Sequence, residues 1–141
     1  MFGIVRLAGY RQALAAHGLP ETVAKVERYR RREGTAAMAA LLERRPDAVF
    51  CFNDLLALGA MRTILSAGLR VPEDIALAGL DDIEDGRYST PTLTTLAPDK
   101  AELARIAVDL LKRRIDGRPG HPPQETRAGY RLMARESTLG R

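Results

Sequence analysis

Tryptophan is absent from this 141-residue chain, cysteine occurs once and histidine twice. A single cysteine, Cys51, has no partner for an internal disulfide and cannot build a zinc site alone. A reducing cytoplasm is the simplest setting for it. It lies in an apolar run, where a small inert packing residue is expected. The two histidines, His17 and His121, stand far apart in loop-like contexts and suggest solvated side chains. There is no G-x-S-x-G elbow and no phosphate-cradling glycine loop. Asp81, Asp82, Glu84 and Asp85 lack the spacing and glycine of an EF-hand, and they read as a solvated acidic turn. No catalytic residues, metal site or cofactor are therefore expected, and the chain does not read as an enzyme. No run of eighteen apolar residues is present, so no membrane helix is expected. The first nine residues carry only a short apolar patch broken by Arg6, unlike a signal peptide. No internal repeat or low-complexity tract is found.

What is present is ordinary for a globular domain: 45% hydrophobic and 28% charged residues. With 22 basic and 18 acidic residues the formal net charge is +4. The basic residues are dispersed, apart from Arg28, Arg30, Arg31 and Arg32, which read as a solvated face. No recognition-helix, zinc-finger or RNA-binding pattern accompanies them, so direct nucleic-acid contact is not expected.

Apolar spacing predicts a helix over 6–17, carrying Leu7, Tyr10 and Leu14 on one face and stopped by Gly18 and Pro20. Val23 and Val26 suggest a short strand within 22–29. A second helix is predicted over 33–44, with Met38, Leu41 and Leu42 on its apolar face. Residues 48–52 form a continuous apolar run, as in a strand buried on both faces. Asn53 and Asp54 follow as helix-capping types. A helix with Leu55, Leu58, Met61 and Leu65 ends at Gly68. After the turn at 71–74, residues 75–80 are a second buried strand. Strand, helix and strand at this length make a βαβ unit with parallel strands and a right-handed crossover.

Residues 83–92 read as a loop and 93–96 as a short extended segment. Pro98 suits a first helical turn. Leu103, Ile106, Ala107, Leu110, Leu111 and Ile115 then mark an amphipathic helix near 98–116, closed by Gly117 and Pro119. A loop over 120–123 precedes two short strand candidates, near 125–127 and 130–134.

In open parallel sheets ligands bind at the carboxyl ends of the strands. Asn53 and Asp81 are the first polar residues after the two buried strands. Asn offers an acceptor and two donors, and an ionised Asp only acceptors, a combination suited to adjacent hydroxyls. On local pattern alone the leading reading is the plainer one: Asn53 caps its helix and Asp81 ends its strand.

The run from Pro46 to Ala60, PDAVFCFNDLLALGA, resembles the LacI/GalR transcription regulators. So do GLRVPEDIALAGLDD from Gly68 to Asp82, Leu93-Thr94-Thr95, and the ending Arg135-Glu136-Ser137-Thr138. Arg6-Leu7-Ala8-Gly9-Tyr10 with Ala13-Leu14 is similar to the helix opening that family's second subdomain. The resemblance covers nearly the whole chain. It implies an α/β, periplasmic-binding-protein-like type I fold with a parallel-sheet βαβ subdomain, here truncated. Residues 1–141 would be the carboxy-terminal part of the effector-binding and dimerisation domain, plus a crossover helix. The helix-turn-helix headpiece and most of the first subdomain would be absent.

By resemblance, a sugar-like effector would meet Arg6, Asn53 and Asp81, with Tyr29 near the place of a stacking aromatic. A surface or packing tyrosine is the other reading of Tyr29. Pro98 stands where many relatives carry a cleft-facing glutamine. A homodimer would form through Leu55, Leu58, Met61 and Leu65. The crossover helix would pack on the first subdomain. DNA would be contacted only through the missing headpiece, and no membrane is involved. The implied function is the sensor portion of a cytoplasmic transcriptional regulator, with repression and activation both open. A solute-binding protein of a transport system shares the fold, and an inactive fragment is the third reading.

Overall fold

The computed structural model describes residues 2–116 and 125–139. Among the described residues nine elements follow in order: α1 (Phe2–Ala16), α2 (Arg31–Leu42), β1 (Ala48–Phe50), α3 (Asp54–Ser66), β2 (Ala76–Leu80), α4 (Glu84–Arg87), β3 (Thr94–Pro98), α5 (Lys100–Ile115) and β4 (Tyr130–Met133). The expected closers Gly117 and Pro119, the loop over 120–123 and His121 lie outside the described residues.

The βαβ unit forms as its pattern dictates. β1 pairs parallel with β2, Phe50 opposite Ala78, and β2 pairs parallel with β3. β4 adds antiparallel to β3, with Pro98 opposite Tyr130, and the sheet order is β1-β2-β3-β4. Pro98 therefore closes a strand; Asp99 caps the following helix by accepting from the Glu102 amide at 2.9 Å. Of the two late strand candidates only that near 130–134 forms, and the 83–92 loop contains the single turn α4.

The core lies on one face of the sheet. Met38 of α2, Leu56, Ala57, Ala60, Met61 and Ile64 of α3, Leu77 of β2 and Leu93 form one buried cluster. Burial on both faces was expected of the strands and is not found. In β2 only Leu77 and Gly79 are buried, and β1 alternates exposed, half-buried and exposed. The strand expected within 22–29 does not form; Val26 from that segment packs against the core without joining the sheet. The Thr22 carbonyl accepts from the Tyr10 hydroxyl and the Tyr29 carbonyl from Asn53. A cavity of about 200 Å³ is lined jointly by this segment, α2 and β1, with Val23, Ala24, Met38, Val49 and Cys51 among its walls.

The amino ends of β2 and β3 are joined by Ser137, which is fully buried. Its hydroxyl donates to the Leu77 carbonyl at 2.6 Å and accepts from the Thr94 amide at 2.8 Å. Its carbonyl accepts from the Leu77 amide at 2.9 Å. Ser137→Ala would orphan a buried acceptor and a buried donor, each costing roughly 1–3 kcal/mol. A drop in the urea midpoint at unchanged slope is expected.

α5 stands apart: it contains no buried residue. Leu103, Val108, Leu111 and Ile115 are exposed, while Ile106 and Leu110 are half-buried. With little tertiary packing, amphipathic helices are marginal in water. The amides of α5 are therefore expected to exchange far faster than those of α3, and mass-resolved hydrogen exchange checks this.

Candidate functional site at the carboxyl ends of the strands

β1 and β2 run parallel and adjacent, so the residues that follow them emerge together. Asn53 serves two neighbours. Its Oδ1 accepts from the Leu56 amide at 2.9 Å and caps α3, and its Nδ2 donates to the Tyr29 carbonyl at 3.1 Å. The capping reading of Asn53 therefore holds, and the same side chain ties the end of β1 to the Tyr29 backbone. Arg6, from α1, donates through Nη1 to the Phe52 carbonyl at 2.6 Å, one residue before Asn53. The charge of Arg6 is felt at Asp81, which follows β2. Burial pushes the Asp81 carboxyl above the ordinary carboxylate range; Arg6 and Lys100 pull it down, and Asp54 pushes it up. Arg6, Asn53 and Asp81 therefore gather at one end of the sheet. The site has paired donors in a guanidinium fork, an amide and a partly desolvated carboxyl, a set suited to vicinal hydroxyls.

Behind this surface lies a second layer. Asp54, 1% exposed, accepts from the Thr95 hydroxyl at 2.6 Å and from the Ile83 amide at 2.9 Å. Asp82 was read as part of a solvated acidic turn; it is buried instead. Its two carboxylate oxygens accept from Arg87 at 2.5 Å and Arg135 at 2.6 Å. Burial acts to raise the Asp82 pKa, but the hydrogen bonds and charges of the two arginines outweigh it and hold the carboxyl below its usual range. Lys100 Nζ donates to the Asp82 carbonyl at 2.9 Å. Asp85 is engaged by Arg31, one of the otherwise exposed arginines of the basic run.

A periplasmic binding protein-like domain model matches residues 3–138. The chain belongs to that family. Among curated proteins, the HTH-type transcriptional regulator CelR of Thermobifida fusca is 38% identical over 139 residues, covering 96% of this chain and 41% of CelR. Among solved structures, a LacI-family regulator from Sanguibacter keddieii DSM 10542 superposes with TM-score 0.90 at 46% identity, covering 97% of this chain and 54% of that one. A CelR–cellobiose complex superposes with TM-score 0.87 at 36% identity, covering 96% of this chain and 42% of that one. The chain thus spans about two-fifths to half the length of these relatives. The α/β architecture read from the sequence is that of the binding domain in LacI-family regulators.

Within this periplasmic binding protein-like domain, Tyr29 is an exposed neighbour of the site, 47% accessible, tied to it by its backbone. Tyr29 also lines the apolar cavity. Of the four α3 residues expected at a dimer contact, Met61 is only 3% exposed and packs within the core. It faces the sheet because it shares a helical face with Ala57 and Ile64, three and four residues apart. Leu55 and Leu58 are half-buried, and Leu65 is 41% exposed. Sequence reasoning missed Lys100 and the inward roles of Asp54 and Asp82. The available signal was an acidic residue beside each first polar residue, at Asn53-Asp54 and Asp81-Asp82.

Proposed function

We propose that this chain is the effector-sensing portion of a LacI-type transcriptional repressor, taking a sugar-like small molecule at the carboxyl ends of β1 and β2. The gathering of Arg6, Asn53 and Asp81 carries the reading. The CelR–cellobiose complex supports a sugar as the ligand class. Arg6 grips ligand oxygens, Asn53 donates and accepts, Asp81 accepts, and Tyr29 offers a ring at the rim. The remaining wall of the cleft belongs to the part of the relatives that this chain does not match, and α5 reaches toward it with its exposed apolar stripe. Ligand binding biases the arrangement of the two halves, and so the affinity of a separate DNA-binding segment. The protein acts in the cytoplasm, as a binding module without a catalytic step. No helix among the described residues is long and apolar enough to cross a membrane. Two copies associate through α3, with Leu55, Leu58 and Leu65 in contact and Met61 excluded from it.

The test is calorimetry with cellobiose, ribose and glucose on the chain extended to the full length of its relatives. One of these sugars is expected to bind, and Arg6→Ala is expected to weaken it roughly ten- to a hundred-fold, the loss of one charge-assisted hydrogen bond. No binding by any sugar, or an unaffected variant, would sink the reading. The 141-residue chain itself is expected to bind DNA only weakly and with a steep salt dependence. A sequence-selective mobility shift that survives physiological salt would contradict this.

A further inference from the structure

Two consecutive residues at the ligand end of β2 hold left-handed backbone although neither is glycine: Asp81 with φ 117° and Asp82 with φ 47°. Such conformations cost free energy and persist only where the surroundings over-determine them. The Asp81 amide still belongs to the sheet, donating to the Leu96 carbonyl at 3.0 Å. The next two amides leave the ladder and turn inward. That of Asp82 donates to Thr95 Oγ1 at 3.3 Å, and that of Ile83 to Asp54 Oδ2 at 2.9 Å. Thr95 and Asp54 are themselves joined, hydroxyl to Oδ1, at 2.6 Å. Asp54 and Thr95 are both essentially inaccessible to solvent. Asp54 lies so close over β2 that a Cβ on Gly79 would stand 2.2 Å from its Oδ1. A buried carboxylate costs free energy unless its oxygens are satisfied, and here neutral donors from the turn and from β3 satisfy both.

We propose that Asp54 and Thr95 act together as a positioning device that holds the Asp81–Asp82 turn left-handed and so fixes where the Asp81 carboxyl stands at the ligand end of the sheet. The importance of that placement rests on the reading of Asp81 as a ligand group. The device itself does not, and it can be tested without a ligand. Asp54 and Thr95 touch no effector; they act through the turn. Thr95 is the link, because its hydroxyl donates to Asp54 and accepts from Asp82 in the same rotamer. Valine has the same shape and can do neither, whereas serine can do both. Asp54 has a second influence, through charge. The groups whose charges act on Asp81 are Arg6 of α1, Asp54 of α3 and Lys100 of α5, and Asp54 is the like charge among them.

The experiment uses the isotopically labelled 141-residue chain. Amide exchange of Asp82 and Ile83 is measured relative to that of Leu77, whose amide is held by Ser137 at the opposite end of the sheet. In Thr95→Val the two turn amides are expected to exchange about tenfold faster relative to Leu77, and in Thr95→Ser to stay within about threefold of the parent. In Asp54→Asn the Asp81 carboxyl, followed by carbon-13 shifts, is expected to titrate at lower pH, because a like charge has gone. Equal acceleration at Asp82, Ile83 and Leu77 in Thr95→Val would mean a general loss of stability and would overturn the proposal. So would a serine variant as perturbed as the valine one, or an Asp81 titration unmoved in Asp54→Asn. Failure of every sugar to bind would overturn the reading of Asp81 as a ligand group and leave these exchange results unchanged.

Discussion

Arg135→Ala is expected to lower the unfolding free energy by about 2–4 kcal/mol at pH 7, a large share of the roughly 5–15 kcal/mol a domain possesses. The Asp82 side chain is 10% exposed and that of Arg135 15%. Removing the arginine leaves a buried carboxylate with Arg87 as its remaining ionic partner. The second partner keeps the expected loss short of a fully stranded charge. The variant also deprives the Leu93 carbonyl of the Arg135 Nη1 donor at 2.8 Å. The pH dependence follows from the depressed Asp82 pKa. A carboxyl that is more acidic folded than unfolded stabilises the fold at pH values above its unfolded pKa, about 3.9 for Asp, and that contribution fades as the pH falls through the folded value. The gap between parent and variant is thus full at pH 7 and narrows below about pH 4. Urea denaturation at both pH values checks this. A gap that persists undiminished in acid would assign the loss to packing or to the Leu93 bond. The pair Asp82→Asn and Arg135→Ala completes a double-mutant cycle, in which the double variant should be more stable than the two single losses sum to.

That link spans 53 residues along the chain, and this is why pattern reading missed it. The βαβ unit was legible because everything that specifies it is local: two apolar runs, an Asn-Asp cap between them, and a stop at Gly68. The gathering of Arg6, Asn53 and Asp81 at one end of the sheet was legible by resemblance, and for Asn53 and Asp81 also by their position directly after the strands. Asp82 was misread for lack of a visible partner: an acidic turn looks solvated until Arg87, five residues on, and the distant Arg135 close over it. The strand expected within 22–29 failed for a related reason. Val23 and Val26 have β propensity, but a strand exists only where a neighbour supplies hydrogen bonds, and the sheet order β1-β2-β3-β4 gives this segment none. Residues 135–138 were recognised as a motif. Their physical role, Ser137 joining β2 to β3 and Arg135 meeting Asp82, became visible only in three dimensions.

Gly59→Ala is expected to destabilise the protein by about 3 kcal/mol or more, at the upper end for overpacked cores. Helix propensity alone predicts the opposite sign, since alanine is favoured over glycine in a helix interior by about 1 kcal/mol. The difference lies in how α2 and α3 cross. A Cβ on Gly59 would stand 2.0 Å from the Arg31 carbonyl oxygen, and one on Gly34 would stand 2.2 Å from the Leu56 carbonyl oxygen. Each helix therefore receives the other's backbone at a glycine. No rotamer change relieves a clash with main chain, so the helices must separate. Separation breaks the polar contacts that the close approach allows, from Thr35 Oγ1 to the Gly59 carbonyl at 3.3 Å and from Thr63 Oγ1 to the Thr35 carbonyl at 3.2 Å. Gly9 is the control. It lies in α1, and a Cβ there would meet nothing within 4 Å, so Gly9→Ala should be neutral or stabilising by up to about 1 kcal/mol. Thermal and urea unfolding of the two variants side by side separate packing from propensity. The same separation would reach the ligand end of the sheet. α3 carries Asn53 at its cap, and Asn53 holds the Tyr29 carbonyl just before α2 begins. Moving one helix off the other pulls on that bond, so Gly59→Ala should also expose the Tyr29 segment to faster hydrogen exchange, whereas Gly9→Ala should not. A Gly59→Ala protein as stable as the parent, with the Tyr29 segment unchanged, would show that the helices can part without cost and that their crossing does not set the site.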